Sequence, residues 1–115
     1  MFPEVVVPEI EIEPQEVKRR LDSGEKMRLV DVREPFEHRQ ANIADAELIP
    51  MRGVPQSIDS LRATPDPLVV FCHHGMRSLQ VVEWLRSQGV ENCRSMTGGI
   101  DRWSLEIDPS VPRYY

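Results

Sequence analysis

The segment with the clearest chemical potential is Cys72-His73-His74-Gly75-Met76-Arg77-Ser78. It follows a continuous apolar run, Leu68-Val69-Val70-Phe71, which predicts a buried strand, and it precedes a stretch with helical spacing of apolar residues. In parallel α/β sheets, ligands bind in loops at the carboxyl ends of the strands. The N–H groups of such a loop and the positive end of the following helix can converge on one atom. A thiol at this position should ionise more readily than a free cysteine and act as a nucleophile.

The other residues of this loop suggest separate roles. Gly75 permits the positive φ that a tight loop requires. Arg77 carries the only permanent positive charge in the loop, and we expect it to attract an anionic donor and to help hold the loop. His73 and His74 are expected to line the mouth of the site and, when protonated, to favour the thiolate. A metal site formed by these histidines and Cys72 is disfavoured, because adjacent residues rarely point at one ion, so we expect no metal.

The second cysteine, Cys93, has no comparable surroundings. It lies in Glu91-Asn92-Cys93-Arg94-Ser95, without a neighbouring glycine or strand-to-helix junction, and is interpreted as a core or surface thiol. Two cysteines are too few for a disulfide scaffold, and they lack the paired C-x-x-C spacing of a structural zinc site.

Composition limits the classes of function. The chain has 115 residues, 40% of them hydrophobic and 29% charged, which is enough for a single domain with a core. Its net charge of −5 argues against nucleic-acid binding. No apolar run approaches the roughly 20 residues that span a bilayer. The first residues do not form a secretory signal, so we expect a cytoplasmic protein, and a monomer.

The remaining pattern predicts the elements that position the loop. Strands are expected at 27–32, 47–49, 68–71 and 90–96, with an edge strand at 9–12 after an extended segment at 5–8. Short helices are expected from Pro14 to a stop near Gly24, from Pro35, around 58–61, over 78–88 before Gly89, and around Trp103. This alternation predicts a single α/β domain with a mainly parallel five-stranded sheet flanked by short helices on both faces.

Four segments, in this order, carry a resemblance to the rhodanese-like sulfurtransferases. They are Asp31-Val32-Arg33-Glu34-Pro35, Cys72-x-x-Gly75-x-Arg77-Ser78, Gly98-Gly99-Ile100-x-x-Trp103 and the tail from Asp108 to Tyr114. The resemblance covers nearly the whole chain. It implies that Cys72 takes a sulfane sulfur from a donor such as thiosulfate and passes it to cyanide or a thiol, with a sulfur-carrier protein as an alternative acceptor. It implies no cofactor.

The resemblance also implies roles around Cys72. The substrate-binding loop would comprise His73, His74, Gly75, Met76, Arg77 and Ser78, whose N–H groups stabilise the outer sulfur of a persulfide. Asp31 and Arg33 are interpreted as a supporting ion pair, with Glu37 as a further partner. Gly98 and Gly99 are expected to shape the backbone, and Trp103 is expected to lie in the core.

One segment departs from the family pattern. Where rhodaneses have Gly-His-Ile-x-Gly-Ala, this chain has Ala41-Asn42-Ile43-Ala44-Asp45-Ala46. Asn42 and Asp45 thus replace a histidine and a glycine, in a segment that shapes the scaffold rather than the loop.

Two other classes of function remain open at this point. A cysteine phosphatase or arsenate reductase of the same fold would have one more residue between cysteine and arginine than the four found here. The shorter loop favours a sulfur atom or small anion over a phosphate ester. A rhodanese-like domain can also serve as a non-catalytic module or as a relay to a partner protein, but such binding modules commonly lack the cysteine that this chain retains.

Overall fold

The structure, a computed structural model, describes residues 7–115, so the predicted extended segment at 5–8 lies partly outside the described residues. The strands are β1 (Glu11–Ile12), β2 (Arg28–Asp31), β3 (Glu47–Leu48), β4 (Leu68–Phe71) and β5 (Cys93–Met96). The helices are α1 (Pro14–Asp22), α2 (Pro35–Gln40), α3 (Ile58–Ala63), α4 (Met76–Ser87) and α5 (Gly99–Glu106), with 3₁₀ turns at Met51–Gly53 and Pro55–Ser57. Within residues 7–115, no helix is long and apolar enough to cross a membrane.

The five strands form one parallel sheet in the order β1-β5-β4-β2-β3. The central strand β4 consists of apolar residues, is buried along its whole length and pairs with β2 and β5. Such a strand belongs between two layers of helices, where both of its faces exclude water. The predicted parallel sheet, with β1 at its edge, is confirmed.

Alternate residues of β4 enter two separate cores, because side chains of a strand point to opposite faces. Val69 and Phe71 pack on one side in a cluster that includes Trp103 of α5, which is 6% exposed. Val70 packs on the other side in a cluster that includes Val82 of α4. Helices therefore cover both faces, as predicted, and Trp103 is a core residue.

Several element boundaries differ from the predictions, among them the starts of β1, α4 and β5. Strand β1 begins at Glu11 rather than at residue 9. Helix α4 begins at Met76, two residues before the predicted start, because Gly75 turns the chain with φ 105° and serves as its N-cap. Strand β5 begins only at Cys93. Residues 90–92, which were predicted to belong to this strand, lie instead in the connection that follows α4. There the N–H of Val90 donates to the carbonyl of Leu85 at 2.9 Å.

The segment that departs from the family pattern keeps its place in the scaffold. Ala41 and Ile43 are buried in the core, and Asn42 donates from its amide to the carbonyl of His38 at 3.1 Å. Asp45 has φ 68° and is the only non-glycine residue with positive φ among residues 7–115. The left-handed conformation explains why a glycine suits this position in the family, and an aspartate can adopt it at some energetic cost.

Candidate active site

Cys72 follows β4 directly, at the carboxyl edge of the sheet. Its side chain is only 1% exposed, and the next three residues carry the chain over it into α4. Two backbone donors reach its sulfur, the N–H of Gly75 at 3.1 Å and the N–H of Ser78 at 3.4 Å, and the hydroxyl of Ser78 lies 3.4 Å from it. Backbone N–H groups at a helix N-terminus stabilise negative charge on such an atom. The predicted convergence of loop and helix donors on Cys72 is present.

The base of the loop is held by the N-terminus of α5. The N–H groups of Ile100 and Asp101 donate to the carbonyls of Cys72 and His73 at 2.9 and 3.1 Å. The approach is close because Gly99, with φ 61°, lies directly against both of these carbonyls and leaves no space for a Cβ atom. The Gly98–Gly99 pair therefore shapes the backbone, as expected, and also borders the active-site loop.

Arg77 does not extend over the thiol. Its guanidinium forms two parallel hydrogen bonds with the carboxylate of Glu37, at 2.7 and 2.9 Å, and this pairing raises the pKa of Arg77. Glu37 is almost completely buried, and the two hydrogen bonds are the main reason that its pKa falls to about 2. Arg77 thus joins α4 to α2 and holds the loop, whereas its expected attraction for an anionic donor is largely offset by Glu37.

Asp31 and Arg33 form the predicted ion pair, with both side chains fully buried and the shortest N–O distance at 2.7 Å. Arg33 also donates to the carbonyls of Glu37 and Ala41 and to the hydroxyl of Tyr114. A buried charge is tolerated when its hydrogen bonds are made in this way. Arg33 therefore contacts the backbone carbonyl of Glu37, while the Glu37 carboxylate binds Arg77. This differs from the expectation that Glu37 is a further partner of the Asp31–Arg33 ion pair.

His73 packs against two rings. It stacks on Tyr114 with centroids 3.9 Å apart and lies against His74 at 3.8 Å. Burial, followed by the charge of His74, lowers the pKa of His73 and therefore favours its neutral ring. This finding works against the expectation that a protonated His73 promotes ionisation of the thiol. His74 is largely exposed, at the mouth of the loop as predicted.

The ligand atoms of His73, His74 and Asp101 lie within 4.8 Å of one another. The two imidazole rings pack against each other, with their centroids 3.8 Å apart and their planes inclined at 33°. Asp101 already accepts hydrogen bonds from Arg113 at 2.9 and 3.3 Å. This arrangement is poor for a metal, and we assign none to it.

Cys93 lies in the core beneath α4, apart from the loop. It is fully buried, and its thiol contacts the carbonyl of Val90 at 3.1 Å. Burial raises the pKa of this thiol, which keeps it protonated. Sequence reasoning gave no role to Tyr114, although the tail that carries it was part of the resemblance.

Fold and site together define an α/β domain with a buried cysteine at the carboxyl edge of a parallel sheet, beneath a tight loop that opens a helix. Residues 13–106 match the rhodanese-like domain family. The chain therefore belongs to that family, as the sequence resemblance indicated.

Individual relatives agree with this assignment. A protein of Allochromatium vinosum named sulfurtransferase is 34% identical over 101 residues, which are 88% of this chain and 94% of that protein. The rhodanese-like/PpiC domain-containing protein 12, chloroplastic, of Arabidopsis thaliana is 38% identical over 94 residues, 78% of this chain, but the match covers only 31% of the plant protein. The crystal structure of a rhodanese-related protein from Thermoplasma volcanium superposes with a TM-score of 0.74 at 30% identity, covering 90% of this chain and 98% of that one.

Proposed function

We propose that this chain is a sulfurtransferase that carries a sulfane sulfur as a persulfide on Cys72. The observation that carries the proposal is the set of donors on the buried sulfur from Gly75 and Ser78. The family and the sulfurtransferase names of its relatives support sulfur transfer as the class of reaction. The retained cysteine favours catalysis over a purely binding module.

The reaction would proceed by two displacements. The thiolate of Cys72 attacks the outer sulfur of a donor such as thiosulfate, a new S–S bond forms, and sulfite leaves with the electron pair of the broken bond. The N–H groups of Met76 and Arg77 begin α4 and have no acceptor among residues 7–115, so they are available to the outer sulfur of the persulfide. Cyanide or an acceptor thiolate then attacks that sulfur, and Cys72 leaves as the thiolate.

The acceptor and the setting are part of the proposal. A small acceptor, such as cyanide or a small thiol, needs no docking surface on this protein. A sulfur-carrier protein would dock at the mouth of the loop. We propose a monomeric, cytoplasmic protein with no nucleic-acid, membrane or cofactor partner, in keeping with its net charge of −5.

Intact-mass spectrometry after incubation with thiosulfate tests the proposal. The protein should gain one sulfur atom, and cyanide should remove it as thiocyanate. Cys72→Ser should abolish the adduct and turnover, whereas Cys93→Ser, the matched control, should retain both because Cys93 is buried away from the loop. The proposal fails if no adduct forms on Cys72 with thiosulfate, mercaptopyruvate or small persulfides, or if both variants lose activity equally.

The phosphatase alternative has its own measurement. Hydrolysis of an aryl phosphate that depends on Cys72 would favour a phosphatase, and we expect none, because only four residues separate Cys72 from Arg77.

A further inference from the structure

Two serine hydroxyls lie in series behind the active-site sulfur. Ser95, on β5, is fully buried, and its Oγ atom lies 2.8 Å from Oγ of Ser78. The hydroxyl of Ser78 in turn lies 3.4 Å from the sulfur of Cys72. The side chains of Ser95, Ser78 and Cys72 thus form a hydrogen-bonded row that runs from the interior of the sheet to the sulfur of Cys72.

The proton positions in this row follow from the number of partners. A hydroxyl carries a single proton, and leaving that proton buried without an acceptor is unfavourable. Among residues 7–115, the only side-chain hydrogen-bond partner of the Ser95 hydroxyl is Ser78, so Ser95 must donate to it. Ser78 then keeps its own proton for another acceptor, either the sulfur of Cys72 or the carbonyl of Gly75 at 3.3 Å.

We propose that Ser95 is a positioning residue for sulfur transfer, which orients the Ser78 hydroxyl so that it donates a hydrogen bond to the anionic sulfur of Cys72. This inference rests on the proposed function. When Cys72 is protonated, its S–H donates to Ser78, and Ser78 donates to Gly75. When the sulfur is a thiolate or persulfide anion, the Ser78 hydroxyl turns to it, and the hydrogen bond from Ser95 strengthens that donor by polarising it.

The test is the pH dependence of Cys72 alkylation by iodoacetamide, followed by peptide mass spectrometry so that Cys93 is counted separately. Ser95→Ala should raise the pH midpoint by about half a unit and slow alkylation at pH 7 about threefold, since it weakens one hydrogen bond to the anion. Ser104→Ala is the matched control, because Ser104 is also buried and donates to the carbonyl of Val111 at 2.6 Å. Its midpoint should equal that of the unaltered protein. The variants leave in place the charged and titratable groups around the loop, which are Glu37, His73, His74, Arg77 and Asp101.

A double variant distinguishes an effect of the hydrogen-bonded row from a general effect of altered core packing. Ser78→Ala should raise the midpoint at least as much as Ser95→Ala, and adding Ser95→Ala to it should produce no further rise. Additive rises, or a folded Ser95→Ala protein with an unchanged midpoint, would overturn the proposal. Ser95→Cys replaces the hydroxyl with a slightly larger thiol that donates more weakly, so it should also raise the midpoint, and it decides the question if the alanine variant does not fold.

Alkylation does not require sulfur transfer. A protein that forms no sulfur adduct would therefore refute the proposed function, while the midpoints would still report on Ser95.

Discussion

The phenolic oxygen of Tyr114 lies 2.6 Å from Oε2 of Glu37 and donates a hydrogen bond to it. The same oxygen accepts a hydrogen bond from Arg33 at 2.9 Å, and the ring stacks on His73. Burial raises the pKa of Tyr114 to about 12, so the phenol keeps its proton at neutral pH. A single side chain near the end of the described sequence therefore contacts the carboxylate that holds Arg77, the buried ion pair behind it and the active-site loop.

Removing the hydroxyl of Tyr114 should destabilise the protein. Tyr114→Phe leaves Glu37 without one donor and Arg33 without one acceptor in a buried region, which should lower the free energy of unfolding by about 2 kcal/mol. Urea denaturation measures this loss. Tyr115→Phe is the matched control, because Tyr115 is 98% exposed and its substitution should leave stability unchanged. Equal stability of the two variants would show that the Tyr114 hydroxyl contributes nothing net.

The free energy of unfolding should depend on pH through the carboxylate of Glu37. Its pKa is lowered from 4.5 to about 2 in the folded protein, mainly by Arg77, so its ionised form stabilises the fold above pH 4.5. This contribution is lost as the pH falls from 4.5 towards 2. The contribution of the ionised Glu37 to the free energy of unfolding should be about 2 kcal/mol. Water screens part of the attraction and reduces the contribution to this size, because the Arg77 side chain is 35% exposed.

Glu37→Gln should therefore be less stable than the unaltered protein at pH 7, and the difference should narrow as the pH approaches 2. Urea denaturation at a series of pH values measures it. A difference that stays constant across this range would contradict the assignment.

A side chain at Gly99 should lower the stability of the protein more than one at an unobstructed glycine. A Cβ atom there would collide with the carbonyls of Cys72 and His73, in addition to the strain of φ 61°. Gly24→Ala is the matched control, because Gly24 has φ 87° but no atom within 4 Å of the added carbon. Gly24→Ala should cost about 1 kcal/mol of stability and Gly99→Ala about 2 kcal/mol more. Thermal denaturation should rank the variants in this order, and equal costs would mean that the loop shifts freely.

Asp45 offers a stabilising substitution. Because its φ is 68°, Asp45→Gly should remove strain and raise the free energy of unfolding by about 1 kcal/mol. Ala44→Gly, one position earlier and without positive φ, should instead destabilise by about 0.5 kcal/mol through the entropy of the unfolded chain. A melting temperature that changes in the same direction for both variants would contradict the role of backbone strain.

Local sequence patterns were enough to predict the main elements and the position of Cys72. Four consecutive buried residues in β4, a glycine that can take positive φ and the helical spacing after it are properties of near neighbours in the chain. The start of α4 was predicted too late, because the first turn of a helix carries few core residues and its N-cap was a glycine rather than a polar capping side chain.

Sequence patterns alone were enough to identify Cys72 as the candidate nucleophile, and to predict the loop above it and the sheet that positions it. The hydrogen-bond partners, by contrast, depend on how the chain folds. Arg77 pairs with Glu37, 40 residues away, Tyr114 pairs with Glu37, 77 residues away, and Ser95 pairs with Ser78. Several carboxylates and hydroxyls could have served each donor. Strand order and helix packing bring only some of these groups within hydrogen-bonding distance, and a one-dimensional pattern does not contain that information.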